Sequence, residues 1–308
     1  MDKFWTTVLT ASAPAVWGTT YIVTTEMLPA GHPLFASLMR ALPAGLLAIV
    51  LARALPSGSW WWKSTVLGVL NMGAFFPLLF VAAYHLPGGV AATLAAAQPL
   101  VVAILVVFIL YEPFSAWRLF WVVVGIIGVA LVVLRSTAAL DAMGVAAGAL
   151  SAVSMGFGVT LTKKWGRPAK VSAMGLAGWQ LTAGGLFLLP ITLMTEGVPS
   201  TIDHTAVAGY LWLGLVGGIL TYTLWFRGIG RLPVASVAVL GLLSPLVAAA
   251  LGALLLGQTL GIVQMVGFAF ALTAIVGGQI TTGRKPPQIR NTETREPALS
   301  AAQARRAS

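Results

Sequence analysis

Cysteine is absent from the 308 residues, and charge is scarce: Lys, Arg, Asp and Glu make up 8% of the chain, against 58% hydrophobic residues. The missing cysteines exclude disulfides, thiolate metal sites and cysteine nucleophiles. The scarcity of charge excludes a soluble fold, because an ordinary globular domain carries about 25% charged residues. Segments of about ten residues with alternating polarity, the mark of a membrane β-barrel, are missing as well. His32, His85 and His204 show no metal-ligand spacing, so neither a metal nor any other cofactor is expected. These exclusions leave one fold class, an all-α polytopic membrane protein.

What the chain does have is a repeat. Leu86-Pro87 recurs as Leu232-Pro233, and Pro99-Leu100-Val101 recurs as Pro245-Leu246-Val247. Glu112 and Gln258 stand the same distance beyond those prolines, all at one shift of 146 positions (233−87, 245−99, 258−112). At about 20 residues per membrane crossing, the hydrophobic segments predict ten spans near 4–25, 34–54, 64–85, 88–110, 117–134, 141–163, 171–194, 205–229, 233–256 and 260–281. Breakers mark the loops: Pro29-Ala30-Gly31, Pro56-Ser57-Gly58, Pro87-Gly88-Gly89 and Pro199-Ser200. Each half then holds about five spans. A duplicated unit with an odd number of spans inserts its second copy upside down, the arrangement of secondary transporters built around a midplane site. The predicted architecture is two inverted five-helix repeats around a central cavity, at 1–137 and 138–282, followed by a disordered basic cytoplasmic tail at 283–308.

Basic residues set the orientation. With a cytoplasmic N-terminus, Lys3, Arg53, Lys63, Arg118, Lys163, Lys164, Arg167, Lys170, Arg227 and Arg231 all fall inside, as do the basic residues of the tail. Only Arg40 and Arg135 fall outside, with Glu26, Asp141, Glu196 and Asp203. Both termini are therefore expected in the cytoplasm. The net charge of +10 is explained by this inner-side bias, and the lipid bilayer, with no nucleic acid, is the expected macromolecular surrounding. Met1 to Ala13, ending in Ala11-Ser12-Ala13, is too short in its apolar core for a cleaved signal, and its hydrophobicity runs on.

The duplicated pattern resembles the EamA family of the drug/metabolite transporter superfamily over about residues 5–281. The residues that carry the resemblance are Trp17-Gly18, Arg40, Pro99 and Glu112 in the first copy and Gly156, Pro245 and Gly257-Gln258 in the second. One departure stands out: the family usually shows Gly-Glu where this chain has Gly257-Gln258. Within the family the chain is most similar to bacterial amino-acid exporters of the YddG type. That resemblance implies a multi-pass protein of the bacterial inner membrane, with a basket of ten helices and a cavity lined by spans 1, 3, 4, 6, 8 and 9. It also implies export of amino acids, aromatic ones among them. The protein is expected to act as a monomer on a small-molecule substrate.

Several residues are placed to carry transport. Pro99 and Pro245 sit at matched positions inside apolar segments, where a mid-helix proline frees a carbonyl; they read as hinges or as static kinks. Their neighbours Gln98 and Ser244 offer polar groups at the same shift. Trp17, Thr20 and Tyr21 form an aromatic and hydroxyl cluster in span 1 that suits an amphipathic solute. Thr160, with Gly156 and Gly158, holds the matching place in span 6, where small residues make room for a ligand or for close packing. Asn71 and Tyr222 each bind substrate or bond between helices, and Phe75, Phe76 and Trp225 supply apolar walls. Trp60, Trp61 and Trp62 read as an interface belt. Arg40 either snorkels outward to pair with Glu26 or serves as a gate. Glu112, near Arg118, is either an inner gate or a plain ion pair.

No acidic or basic residue is expected near the centre of a span. A proton relay would need one, so facilitated diffusion is expected, with a proton-coupled drug or metabolite antiporter as the alternative. Phosphorylated substrates would need Lys or Arg on the cavity, and none is expected there; a zwitterion would bind through hydroxyls, amides and helix-end dipoles. An intramembrane enzyme would need a catalytic constellation at depth, and a channel a lined filter. Neither is seen, so the chain is not expected to be an enzyme.

Overall fold

The computed structural model describes residues 2–85, 94–133, 141–257 and 261–280. Leu86-Pro87, Pro87-Gly88-Gly89, Arg135, Gln258 and the 283–308 tail lie outside the described residues. Among those described, every regular element is helical. Helix α1 spans Lys3–Met27 and α2 Pro33–Ala52; Pro33 opens α2 in the first turn, where its missing N–H loses no bond. Helix α3 (Trp60–Gly68) runs through a π turn, Val69–Gly73, into α4 (Phe75–His85). There follow α5 (Gln98–Ile109), α6 (Ala116–Val133), α7 (Ala142–Trp165) and α8 (Ala173–Thr195). Helix α9 (His204–Leu211) passes through a second π turn, Trp212–Leu220, into α10 (Thr221–Arg231). The described chain closes with α11 (Val234–Leu240), α12 (Leu243–Leu255) and α13 (Ile262–Gln279).

Among the described residues, six stretches are long and apolar enough to cross a membrane: Pro33–Ala52, Ala142–Trp165, Ala173–Thr195, His204–Arg231, Val234–Leu255 and Ile262–Gln279. Many large apolar side chains on the outer faces are exposed, Phe108 at 72% and Leu254 at 79% among them. Such a surface is stable only in lipid, so the protein is a multi-pass membrane protein.

Small residues decide which helices meet. Lipid tails are as apolar as leucine, so close van der Waals contact drives helix pairing in a membrane. Helices α2 and α8 pack together because a Cβ on Gly45 would strike Thr182, and one on Gly185 would lie 2.7 Å from Leu42 Cα. A shift of 140 positions takes Leu42 to Thr182 and Gly45 to Gly185, so the two contacts are reciprocal. Helix α1 packs on α12 and α7 on α5. A Cβ on Gly18 would fall 2.6 Å from Val247 Cβ, and one on Gly156 would fall 2.6 Å from Val101 Cγ1. Val101 and Val247 are equivalent under the 146-residue shift, so this pair is reciprocal too. Helix α6 lies on α13 through Gly128 and Gly267.

Two expectations about continuous spans are corrected. The segment 233–256 breaks at Gly241-Leu242, where tight bonds run from Gly241 N–H to the Ala238 carbonyl (3.0 Å) and from Ser244 N–H to the Gly241 carbonyl (3.1 Å). A similar turn precedes α5, with Leu100 N–H donating to the Ala97 carbonyl at 2.9 Å. Pro99 and Pro245 therefore stand in the first turns of α5 and α12, where proline is tolerated, and not in mid-helix. The carbonyl that a mid-helix proline would free is not what these prolines supply; the chain break before them is.

Candidate functional site

A cavity of about 260 Å³ lies where these broken helices meet α1, α2, α4, α7 and α10. Trp17, Thr20, Phe75, Gln98, Tyr222 and Ser244, all singled out from the sequence, line it, together with Pro99, Pro245 and Arg40. Phe76 and Trp225 add apolar wall. Thr24, Ser37, Leu79, Met155 and Leu213 also face it and were not singled out. The signal for Thr24 and Ser37 was available: each lies three or four residues from Thr20 or Arg40, on the same helix face.

Trp17 is the central fixture. Its indole Nε1–H donates to the Gly217 carbonyl (3.1 Å) and the Thr221 hydroxyl (2.9 Å). Its ring packs at a tilt against Tyr222 (centroids 4.9 Å apart) and Trp225 (5.2 Å). Two buried rings and two acceptors hold the indole, while its remaining surface stays on the cavity. Gln98 is 6% exposed, and its Nε2 has no hydrogen-bond partner among the described residues. A buried amide N–H left in that state costs free energy until a solute or water accepts from it.

Arg40 corrects an expectation. It is 7% exposed and points into the protein, not outward to Glu26. Its Nη2 donates to the Gly217 carbonyl at 3.0 Å, and its Nη1 lies 3.5 Å from the Thr20 hydroxyl. The guanidinium carbon sits 5.6 Å from the Phe76 ring centroid and 6.0 Å from that of Tyr222. The expectation that no cationic side chain faces the cavity fails with it.

Three other residues do not come to the cavity in this structure, and the side chain of a fourth is not among those described. Asn71, 2% exposed in the first π turn, donates to Gln180 Oε1 at 2.8 Å, an interhelical bond made possible because Gly158 has no side chain to occupy that space. Thr160 is fully buried and donates to the Gly156 carbonyl at 2.8 Å, one turn back on its own helix. Glu112 pairs with Arg118 at 3.1 Å across the α5–α6 connection, away from the cavity. Tyr21 belongs to α1, and its side chain lies outside the described residues.

The π turns carry contacts the sequence did not announce. In the first, Ala74 N–H reaches back five residues to the Val69 carbonyl at 2.7 Å. Ser154 of α7 donates to the Leu70 carbonyl of that turn at 2.8 Å, as Trp17 of α1 donates to Gly217 in the second.

The sequence model of the EamA-like transporter family matches residues 4–134 and again residues 142–277. The chain belongs to the EamA-like transporter family. Among similar proteins, Protein PecM of Dickeya dadantii is 46% identical over 264 residues, covering 86% of this chain and 89% of PecM. A "Probable amino-acid metabolite efflux pump" of Salmonella typhimurium is 28% identical over 275 residues, covering 84% and 90%. A "Probable terminal-alkyne amino-acid exporter" of Streptantibioticus cattleyicolor is 27% identical over 244 residues, covering 78% and 79%. A solved crystal structure aligns with a TM-score of 0.76 at 20% identity, covering 89% of this chain and 98% of that one, and shows the fold alone.

Proposed function

We propose that this EamA-family transporter is an alternating-access carrier that exports amino acids, including aromatic ones, and related small metabolites by facilitated diffusion. It sits as a monomer in the bacterial inner membrane with both termini in the cytoplasm. The observation that carries the reading is the cavity itself: a small chamber between two interrupted helices, walled by Trp17, Phe75, Tyr222 and Trp225 and edged by hydroxyl and amide groups. Discontinuous helices around a central site are the hallmark of carriers. The names of the Salmonella and Streptantibioticus relatives support an amino-acid substrate.

Two inverted five-helix repeats account for the reciprocal contacts. A two-fold relation requires that if residue i of one copy touches j of the other, their counterparts touch as well. Gly18 on Val247 with Gly156 on Val101, and Gly45 on Thr182 with Gly185 on Leu42, fit that rule. So does the double match of the family model. Thiol labelling of single cysteines near Lys164 and Arg306, in a chain that has none of its own, tests the topology: labelling from opposite sides of the membrane would refute it.

Purified protein in liposomes, offered a panel of radiolabelled amino acids, tests the activity. Saturable flux with counter-exchange is expected for one or more of them, and none at all would refute the reading. Among the described residues, no carboxylate or histidine lines the cavity, so an imposed proton gradient is expected to change flux little. Uphill accumulation driven by that gradient would favour the antiporter instead.

A further inference from the structure

The repeat contains its own control for Arg40. The shift of 140 that pairs Leu42 with Thr182 and Gly45 with Gly185 also pairs Arg40 with Gln180. The two residues stand at equivalent positions against the two π turns. Gln180 is fully buried and meets Asn71 in the first π turn at 2.8 Å; Arg40 meets Gly217 in the second π turn at 3.0 Å. Gln180 joins its π turn by accepting from the Asn71 side chain, Arg40 by donating to the Gly217 carbonyl. Of the two, only Arg40 also lines the cavity. Arg40 brings to the cavity a charge that Gln180 lacks, and burying a guanidinium in a membrane protein is costly.

The surroundings say what that charge is for. Thr20 is within 3.5 Å of the guanidinium, and Ser37 lies on the same face of α2 one turn away. The Gln98 Nε2 donor, in a side chain 6% exposed, lacks a partner among the described residues on the same cavity. The cavity thus offers the Arg40, Thr20 and Ser37 donors, the Gln98 amide and the apolar surfaces of Trp17, Phe75 and Trp225 to one solute. Resting on the carrier reading above, we infer that Arg40 is a specificity-determining residue that selects solutes bearing a carboxylate on an apolar, preferably aromatic, body. A planar guanidinium fork matches a carboxylate in both charge and spacing. Amines of the same shape, lacking the carboxylate, are excluded by like charge.

Matched compound pairs test this on the full-length protein. In liposomes, competition against labelled substrate is measured for tryptophan against tryptamine and for indole-3-acetate against 3-methylindole. In detergent, the same pairs are scored by the thermal stabilisation they produce. The carboxylate member of each pair is expected to act at about tenfold lower concentration or better, the usual weight of one charge-assisted bond. Arg40→Gln is expected to bring each ratio close to one, and Arg40→Lys to keep part of it. Trp17→Phe, at a residue that also touches the Gly217 carbonyl but carries no charge, is expected to preserve the ratios while lowering flux. Equal competition by both members of each pair in the wild-type protein overturns the inference, even if Arg40→Gln does not fold. So does an Arg40→Gln protein that folds and keeps the ratios. If no amino acid is carried but indole-3-acetate still stabilises the protein over 3-methylindole, the amino-acid reading fails and the role of Arg40 stands. If amino acids are carried and the ratios are one, the reverse holds.

Discussion

Two equivalent glycines make a sharp test of how the halves meet. Replacing Gly156 with alanine puts a methyl 2.6 Å from Val101 Cγ1 and 3.0 Å from Val101 Cβ. Ordinary contact begins at 3.4 Å, so the overlaps are 0.8 and 0.4 Å. Replacing Gly18 puts a methyl 2.6 Å from Val247 Cβ and 2.7 Å from the Ser244 carbonyl oxygen, overlaps of 0.8 and 0.7 Å. Either substitution overpacks a helix crossing, at a cost of about 1–3 kcal/mol. The two differ in their remedy. Val101→Ala deletes the γ-carbon that clashes worst with the methyl introduced by Gly156→Ala, leaving the milder overlap. Val247→Ala removes the γ-carbon that would lie 2.8 Å away but leaves the two closer obstacles, the β-carbon and the backbone oxygen, where they are. The Gly156→Ala, Val101→Ala cycle is therefore expected to show a favourable coupling of about 1 kcal/mol, and the Gly18→Ala, Val247→Ala cycle a coupling near zero. Unfolding of the purified variants in detergent, followed by the fluorescence of the 11 tryptophans, reads both. A full rescue at Gly18, or none at Gly156, would refute the packing described for these crossings.

Three further outcomes follow from particular contacts. Glu196 at the end of α8 accepts from Leu34 N–H (3.0 and 2.8 Å) and Phe35 N–H (3.0 Å), capping the start of α2; Glu196→Ala is expected to lose about 1–2 kcal/mol of stability, and an unchanged melting profile would dismiss the cap. The Lys163 ammonium donates to the Ile229 (2.8 Å) and Leu232 (2.9 Å) carbonyls at the end of α10, tying α7 to it; Lys163→Met is expected to speed thiol labelling of a Gly230→Cys reporter, and an unchanged rate would show that this tie holds nothing closed. Trp17→Phe keeps the ring contacts but removes the indole donor from Gly217 and Thr221, so flux is expected to fall with a stability loss of only about 1 kcal/mol, while Trp17→Ala is expected to lose both; wild-type flux in the two variants would remove Trp17 from the site.

The helical membrane class was legible because composition alone forbids the alternatives, and the repeat was legible because its motifs share one shift. The residues around Pro99 and Pro245 were found through that shift, and the structure brings Gln98 and Ser244 to one cavity. Position along a helix was readable and direction was not. Arg40 was placed about two turns into its helix, as it is in α2, but the sequence does not say which way a side chain points around a helix. The outward snorkel and the inward turn differ only in that angle. Asn71 fails for a related reason: a polar side chain within the membrane must find a partner, and Gln180 across the helix interface satisfies it without any solute. The helix interruptions at Gly241-Leu242 and before Gln98 escaped because the apolar run continues through them, and a hydropathy pattern has no means of registering a turn made from apolar residues.

The π turns are where these separate observations join. A π turn inserts an extra residue and widens the helix locally, so its carbonyls are presented to neighbours at angles an α-helix does not offer. At Gly217 one carbonyl receives Trp17 Nε1 (3.1 Å), Arg40 Nη2 (3.0 Å) and the Thr221 hydroxyl (2.6 Å). Trp17 and Arg40 come from α1 and α2, and both line the cavity. A solute that pulls on either side chain therefore changes the bonding of the same carbonyl, and through it the second π turn between α9 and α10. The matching turn in the first half is held by Ser154 at Leu70 and by the Asn71–Gln180 bond, with no cavity-lining residue among those partners. The two halves share a joint of the same construction, but among the described residues it is the second joint whose partners line the chamber.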